Sequence, residues 1–541
     1  MTSSKSRVLL SVFLLLLFTF VLALHPISAQ ADGVNLRWSI EGINDLPSLD
    51  PAKASDSQGF TVIGLLYGGL VRLDGDLNVI PDLAESWTVS DDGLVYTFTL
   101  REDSLFSDGS AITADDVVWS LTHALDPNTG GWTGPFYLSN IVGANEVAEG
   151  SAAELAGAVA VDARTVELTI SQPSAYFLSQ LTFGSAKVVS KAQAEADPSG
   201  WENAPVTSGP FQVQAWNHGQ NIILVPNTNY WQAPTIATLT MPFIQDSETA
   251  YQLYITGELD IMGSQQNGIP SVHVPDSEMM PDFRSTPLFA VRYVGFNNTI
   301  PPFDNVNVRR AFALAIDKET LANDVLGGTV VPSDRILPLG IPGSELPIDG
   351  LSFDPDGAKA ALAEAGVTPE TIGQVTLTYG VEGDNERVVT VLQAMWQENL
   401  GVAVTLEPLE LTTFSARLNE TYETPETGIQ AYYSVWGADY PDPQNFISQQ
   451  LRTGVGNNNG HYSNAEFDAL VDEADVLTGD VERRMSLYND AEQIAVNEVG
   501  WLPLFNPRLN ILVRPEVEGI VFNGQGLIIP DYSALTVSAG A

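Results

Sequence analysis

Two hydrophobic periods alternate along this chain, and their placement limits the folds open to it. Leu94, Tyr96, Phe98 and Leu100 alternate along a strand returning from the turn Ser90-Asp91-Asp92-Gly93, so Ser86 to Arg101 reads as a hairpin. A second hairpin runs from Phe211 to Val225 about Asn217-His218-Gly219, and a third turns at Asp162-Ala163-Arg164. Helical spacing governs other stretches. Ser463 with Glu466 reads as a capping box ahead of Phe467, Leu470, Val471 and Ala474, which share one helix face. Thr113 with Asp116 caps a helix that packs through Val117, Val118 and Leu121, and Asp354-Pro355 opens one that Gly366 closes. Val308, Ala311, Phe312, Ala315 and Ile316 form a further stripe. Strand pairs in the first half and strand-helix alternation in the second imply an α/β protein of at least two lobes.

At 541 residues the chain can build two or three folding units. Its 67 acidic residues outnumber 23 basic ones, and a net charge of -44 repels nucleic acid and anionic lipid, so neither is an expected partner. Such a charge favours solubility and names no ligand. Lys5 and Arg7 precede an uncharged apolar run from Val8 to Leu24, followed by a more polar stretch ending near Ala29 and Gln30. That layout is a secretory signal over residues 1–30, with an uncleaved membrane anchor as the alternative. Cysteine is absent, which removes disulfides, thiol catalysis and a lipid-modified cysteine anchor.

Short motifs then follow one another in a recognisable order. Leu49-Asp50-Pro51, Ala84-Glu85-Ser86-Trp87 running on to Leu100-Arg101, Phe106-Ser107-Asp108-Gly109 and Thr113-Ala114-Asp115-Asp116-Val117 come first. Ser208-Gly209-Pro210-Phe211, Asn229-Tyr230-Trp231, Gly257-Glu258-Leu259-Asp260-Ile261, Ala315-Ile316-Asp317 and Trp436-Gly437-Ala438-Asp439-Tyr440-Pro441-Asp442-Pro443 follow. Singly, most of these are turns and caps. Together they resemble the family 5 extracellular solute-binding proteins, the oligopeptide, dipeptide and nickel receptors of ABC importers. The resemblance implies a class II periplasmic-binding fold, with two lobes joined by a two-crossover hinge and an extra subdomain inserted in lobe I. After the signal at 1–30, it places lobe I at 31–76, 206–290 and 506–541, the insert at 77–205 and lobe II at 291–505. The crossovers are expected near Ser285 to Phe296 and Leu504 to Leu509.

Gln430 to Phe446 reads as a strand breaking into a proline-rich loop, a position suited to ligand contact. In peptide-binding relatives the first acid of the W-x-x-D-x-x-D-P pattern, here Asp439, meets the ligand's α-ammonium group. The chemistry is apt, because an α-amino group with a pKa of roughly 7.7–8.0 arrives charged and needs a fixed carboxylate once water is excluded. The alternative for Asp439 is a loop carboxylate capping backbone NH groups. Asp442, ahead of a proline, is expected to organise the turn. Trp436 reads as an apolar wall or a core residue, and Tyr440 as a second aromatic contact. The resemblance also puts a carboxylate-binding arginine near Arg387, at the start of a helix through Val391, Leu392 and Met395.

No metal site or cofactor is expected: His123, His218, His273 and His461 are isolated, and no ligand spacing for zinc or calcium occurs. The sequence carries no nucleophile elbow, Walker loop or dinucleotide fingerprint, so no enzyme is expected. The reading is a monomeric, exported receptor that delivers a peptide to a membrane permease driven by an ATPase on other chains. A sugar oligomer or metal chelate on the same scaffold is the alternative, and a secreted hydrolase the third.

Overall fold

The computed structural model describes residues 34–264 and 267–538, so the expected export segment lies outside the described residues. Among those described, no helix is long and apolar enough to cross a membrane.

A five-stranded sheet is built from Asn35–Arg37, Ile40–Glu41, Thr238–Ile244, Asn221–Pro226 and Phe211–Asn217. Its antiparallel pair Phe211–Asn217 and Asn221–Pro226 is the second hairpin expected from the sequence. The first and third hairpins form a separate four-stranded sheet, Ala84–Val89, Val95–Leu100, Thr165–Thr169 and Ala158–Ala160. Its buried face, including Tyr96, Phe98, Val166 and Leu168, packs on the helix Ala114–Leu125. That helix starts in the expected capping box, with Thr113 N donating to the Asp116 carboxylate at 2.9 Å.

The remaining strands form one eight-stranded sheet around Trp501–Val513, a strand of 13 residues. Its first half pairs with Ala290–Phe296 and Val330–Pro332. Its second half pairs with Phe283–Pro287 and Ile261–Met262. Two chain segments therefore pass between the halves of the molecule, one through Pro287 to Ala290 and one through Phe505 to Arg508. The sheet continues through Ala431–Gly437 to the parallel pair Val375–Gly380 and Val404–Leu409. The helix Asn385–Leu400 makes the crossover between that pair and buries Val388, Val389, Leu392 and Trp396. Each such side chain contributes roughly 1.5–3 kcal/mol. The Trp396 indole NH also donates to Phe312 O at 2.9 Å, tying this helix to Val306–Leu314.

Two local expectations change. The N-cap of Ala465–Val476 is Asn464, whose Oδ1 accepts from Glu466 N at 2.9 Å and Phe467 N at 3.0 Å. Ser463 instead bonds the Thr453 hydroxyl at 3.0 Å. Either residue type can cap, and here the asparagine one position on wins. The strand expected after Gln430 alternates in exposure only from Ser434, because Ala431 and Tyr433 pack into one core and Tyr432 into another, so both faces are covered there.

The Ser208-Gly209-Pro210 motif meets the C-terminal end of the helix Ser57–Leu66, where Gly209 N donates to Leu66 O at 2.9 Å. A Cβ on Gly209 would sit 2.6 Å from Tyr67 N and 2.7 Å from Leu66 C, all backbone. On Gly64, in that same helix, it would meet nothing within 4 Å. Urea denaturation should therefore give opposite signs: Gly209→Ala loses about 2 kcal/mol, whereas Gly64→Ala gains about 0.5–1 kcal/mol from helix propensity.

Candidate ligand-binding site

The strand Ala431–Gly437 runs antiparallel to Ala290–Phe296, with Trp436 opposite Val291 and Gly437 opposite Ala290, and its C-terminal end opens into the loop carrying Asp439. Asn445, fully buried, fixes this loop. Its Oδ1 accepts from Asp439 N at 3.1 Å, its Nδ2 donates to Asp439 Oδ2 at 3.1 Å, and its backbone oxygen accepts from Trp436 Nε1 at 2.9 Å. One amide thus sets both the aspartate and the tryptophan.

Asp442 holds the base of the loop. Its Oδ1 accepts from Gln444 N at 3.0 Å, capping the turn Pro443–Asn445. Both of its oxygens also take Arg484, at 2.6 and 2.9 Å, in a buried bidentate pair. The pair lies beside Asp475, which accepts from the Ser448 and Tyr488 hydroxyls, each at 2.6 Å.

Asp439 and Trp436 line a single cavity of about 640 Å³ whose opposite wall carries Phe60, Tyr137, Phe183, Lys187 and Arg72. That volume suits a small-molecule ligand. Burial pushes the Asp439 carboxyl from its ordinary 3.8 up to about 6, against hydrogen bonds from the Asn445 amide and the Tyr137 hydroxyl. Among the described residues no lysine, arginine or histidine lies within ion-pair distance of it, whereas Asp442 is neutralised by Arg484.

Tyr440 lies outside this cavity. It is buried, stacked on Tyr176 at 6.2 Å and edge-on to Tyr137 at 6.4 Å. Those rings join the 431–446 segment to the 133–186 region, and Ala175 N donates to Asp475 O at 3.2 Å across the same junction. Arg387 also lies outside: it occupies the first turn of Asn385–Leu400, its side chain 55% exposed and 4.0 Å from Asp384. A first-turn arginine on a helix over the sheet points to water by default, and nothing here draws it to the cavity. His461 is structural, its ring stacked on Tyr422 with Nε2 3.3 Å from Thr421 O.

A profile of bacterial extracellular solute-binding proteins, family 5, matches residues 78–458. The chain belongs to that family. Among family 5 relatives, the periplasmic oligopeptide-binding protein OppA of Escherichia coli is 30% identical over 489 residues, covering 88% of this chain and 88% of the relative. The unliganded open form of the murein tripeptide binding protein MppA superposes with a TM-score of 0.76 at 26% identity, over 92% of this chain and 98% of MppA. Haemophilus influenzae OppA in complex with RPPGFSPFR superposes with a TM-score of 0.73 at 25% identity, over 94% and 99% of the two chains. The fold is accordingly that of the class II periplasmic-binding proteins.

Removing the anchor of this family 5 site should be severe. Arg484→Ala leaves Asp442 buried and unpaired, and chemical denaturation should report a loss of about 3–5 kcal/mol. The double variant Asp442→Asn with Arg484→Met, which removes both charges, should be less destabilised than Arg484→Ala alone.

Proposed function

We propose that this protein is a non-catalytic, monomeric receptor outside the cytoplasmic membrane that captures peptides for an ABC importer and holds their α-ammonium group on Asp439. In this reading the lobes are 31–76 with 206–290 and 506–541, and 291–505, with 77–205 as the insert. The segments Pro287 to Ala290 and Phe505 to Arg508 act as the hinge on which they close. The permease recognises the closed, loaded form, and an ATPase on separate chains supplies the energy.

The observation that carries the reading is a carboxylate fixed by Asn445, partly buried at the cavity wall, with no lysine, arginine or histidine among the described residues within ion-pair distance. Desolvating an unneutralised carboxylate is unfavourable, and the arrangement is compensated when a ligand brings the missing positive charge. The names of the relatives, oligopeptide and tripeptide receptors, agree with a primary ammonium as that charge.

Protonation adds a signed consequence. Asp439 and Asp475 both sit at about 6 in the folded protein against an ordinary 3.8. Each therefore contributes stability that is complete below about pH 4 and is lost as pH rises through 6. Ligand binding shows the reverse trend, because an ammonium group requires the ionised form of Asp439. Calorimetry with the alanine oligomers of two to five residues should show affinity falling about tenfold from pH 7 to pH 5. Asp439→Asn should lower affinity at pH 7 by at least about tenfold and flatten that pH profile. N-acetylation of the peptide should produce the same loss in the wild type and no further loss in the variant. Unchanged binding by Asp439→Asn would contradict the assignment.

A further inference from the structure

An ammonium pole explains one end of the cavity. The same cavity also holds two cations whose presence in so acidic a chain calls for a reason. Only six lysines occur in the sequence; Lys318 is buried and Lys187 is half-buried. Lys318 is paired, with Asp334 at 2.5 Å. Lys187 makes no ion pair or side-chain hydrogen bond among the described residues, although it lines the cavity that contains Asp439.

The local structure holds Lys187 there. It ends the turn Gly184–Ala186, and the next residue, Val188, donates its backbone NH to Gly68 O at 2.9 Å. The ammonium lies beside Gly69, where a Cβ would come to 3.5 Å from Nζ. The nearest acid with an influence on it, Asp82, is already engaged: its carboxylate accepts from Gly69 N at 3.0 Å, Tyr230 Oη at 2.5 Å and Trp231 Nε1 at 3.3 Å. Burial holds Lys187 below its ordinary 10.5, with Asp82 opposing that shift and Arg72 reinforcing it.

Arg72 is the second cation. Its terminal nitrogens donate to Pro530 O and Gln232 Oε1, which fix the guanidinium, and its Nε is buried without a partner. Arg72 and Lys187 line the same cavity and repel one another, and among the described residues no acidic side chain lies within ion-pair distance of Lys187. The same cavity has an aromatic wall: Tyr137, whose hydroxyl bonds Asp439, lies 3.9 Å from Phe183, and Phe183 lies 4.7 Å from Phe60, measured between ring centroids. The cavity lining thus combines two cations and a set of aromatic rings with two carboxylates, Asp439 and Asp56, of which Asp56 is engaged as the N-cap of the helix Ser57–Leu66.

We propose that Lys187 and Arg72 form a carboxylate-recognition subsite that takes the negative group of a dipolar ligand whose ammonium lies on Asp439. The subsite rests on the peptide reading for the ligand's identity. Its own chemistry, an ammonium point charge beside a fixed guanidinium, suits any carboxylate, whether a terminal one or an acidic side chain.

The test uses the full mature chain and calorimetry with trialanine, trialanine amide, N-acetyl-trialanine and Ala-Asp-Ala amide. Lys187→Met removes the charge and retains an apolar stem, and Lys187→Arg restores the charge; thermal melting checks that both fold. If the subsite takes the chain terminus, the wild type binds trialanine at least tenfold more tightly than its amide, Lys187→Met abolishes that preference, and Lys187→Arg recovers part of it. If it takes an acidic side chain, Ala-Asp-Ala amide binds more tightly than trialanine amide, and that gain disappears in Lys187→Met. A carboxylate preference that survives Lys187→Met overturns the proposal, as does failure of the wild type to bind any of these probes. Failure of the ammonium reading is separate: N-acetyl-trialanine would bind as well as trialanine while both remain sensitive to Lys187→Met.

Discussion

A carboxylate that the protein desolvates but does not neutralise is the constraint on which this site depends. Asp439 is positioned through its backbone NH and its side chain by the single buried amide of Asn445, which also sets the Trp436 indole. Fixing the group in advance means that a cationic ligand encounters a preorganised acceptor, so little ordering remains to oppose binding. Neutralising Asp439 internally, as Arg484 neutralises Asp442, would stabilise the empty protein and abolish the attraction. The two aspartates, three residues apart in one loop, thus differ: Asp442 is paired and anchors the loop, whereas Asp439 is the one proposed to receive the ligand.

The fold supplies what this loop needs. A strand end places Asp439 at the edge of a cavity, and the aromatic contacts of Tyr137 and Tyr176 bring the opposite wall against the loop. The long strand Trp501–Val513 and the pair Phe283–Pro287 with Ala290–Phe296 are continuous between the two halves. Two strand-like connections permit rotation about one axis while resisting other displacements, a geometry suited to hinged closure.

Much of this was legible in the sequence where the signal is local. The three hairpins follow from turn residues and alternation, and the Thr113 capping box from spacing alone. Local rules also explain the misplaced cap: Ser463 and Asn464 are both good N-caps, and composition does not choose between them. Asp439 and Trp436 were accessible because the motif and the strand end coincide. Asn445 carried no signal, since an asparagine after a proline turn is an ordinary turn residue. Tyr137, Arg72 and Lys187 were invisible as site residues because only tertiary folding brings distant segments to one cavity. Arg387 shows the converse: an arginine in a helical first turn has no direction until the helix is packed, and here it faces solvent.

Under the function proposed above, the Asp439 carboxylate awaits a cation supplied by the ligand. The most direct test is a carbon-13 NMR titration of the Asp439 carboxyl carbon, assigned by comparison with Asp439→Asn, with and without a bound peptide. The expected midpoint is near 6 in the empty protein, as burial dictates, falling to about 4 or lower once the ammonium group is in place. A midpoint that stays where it was when the peptide binds would contradict that reading.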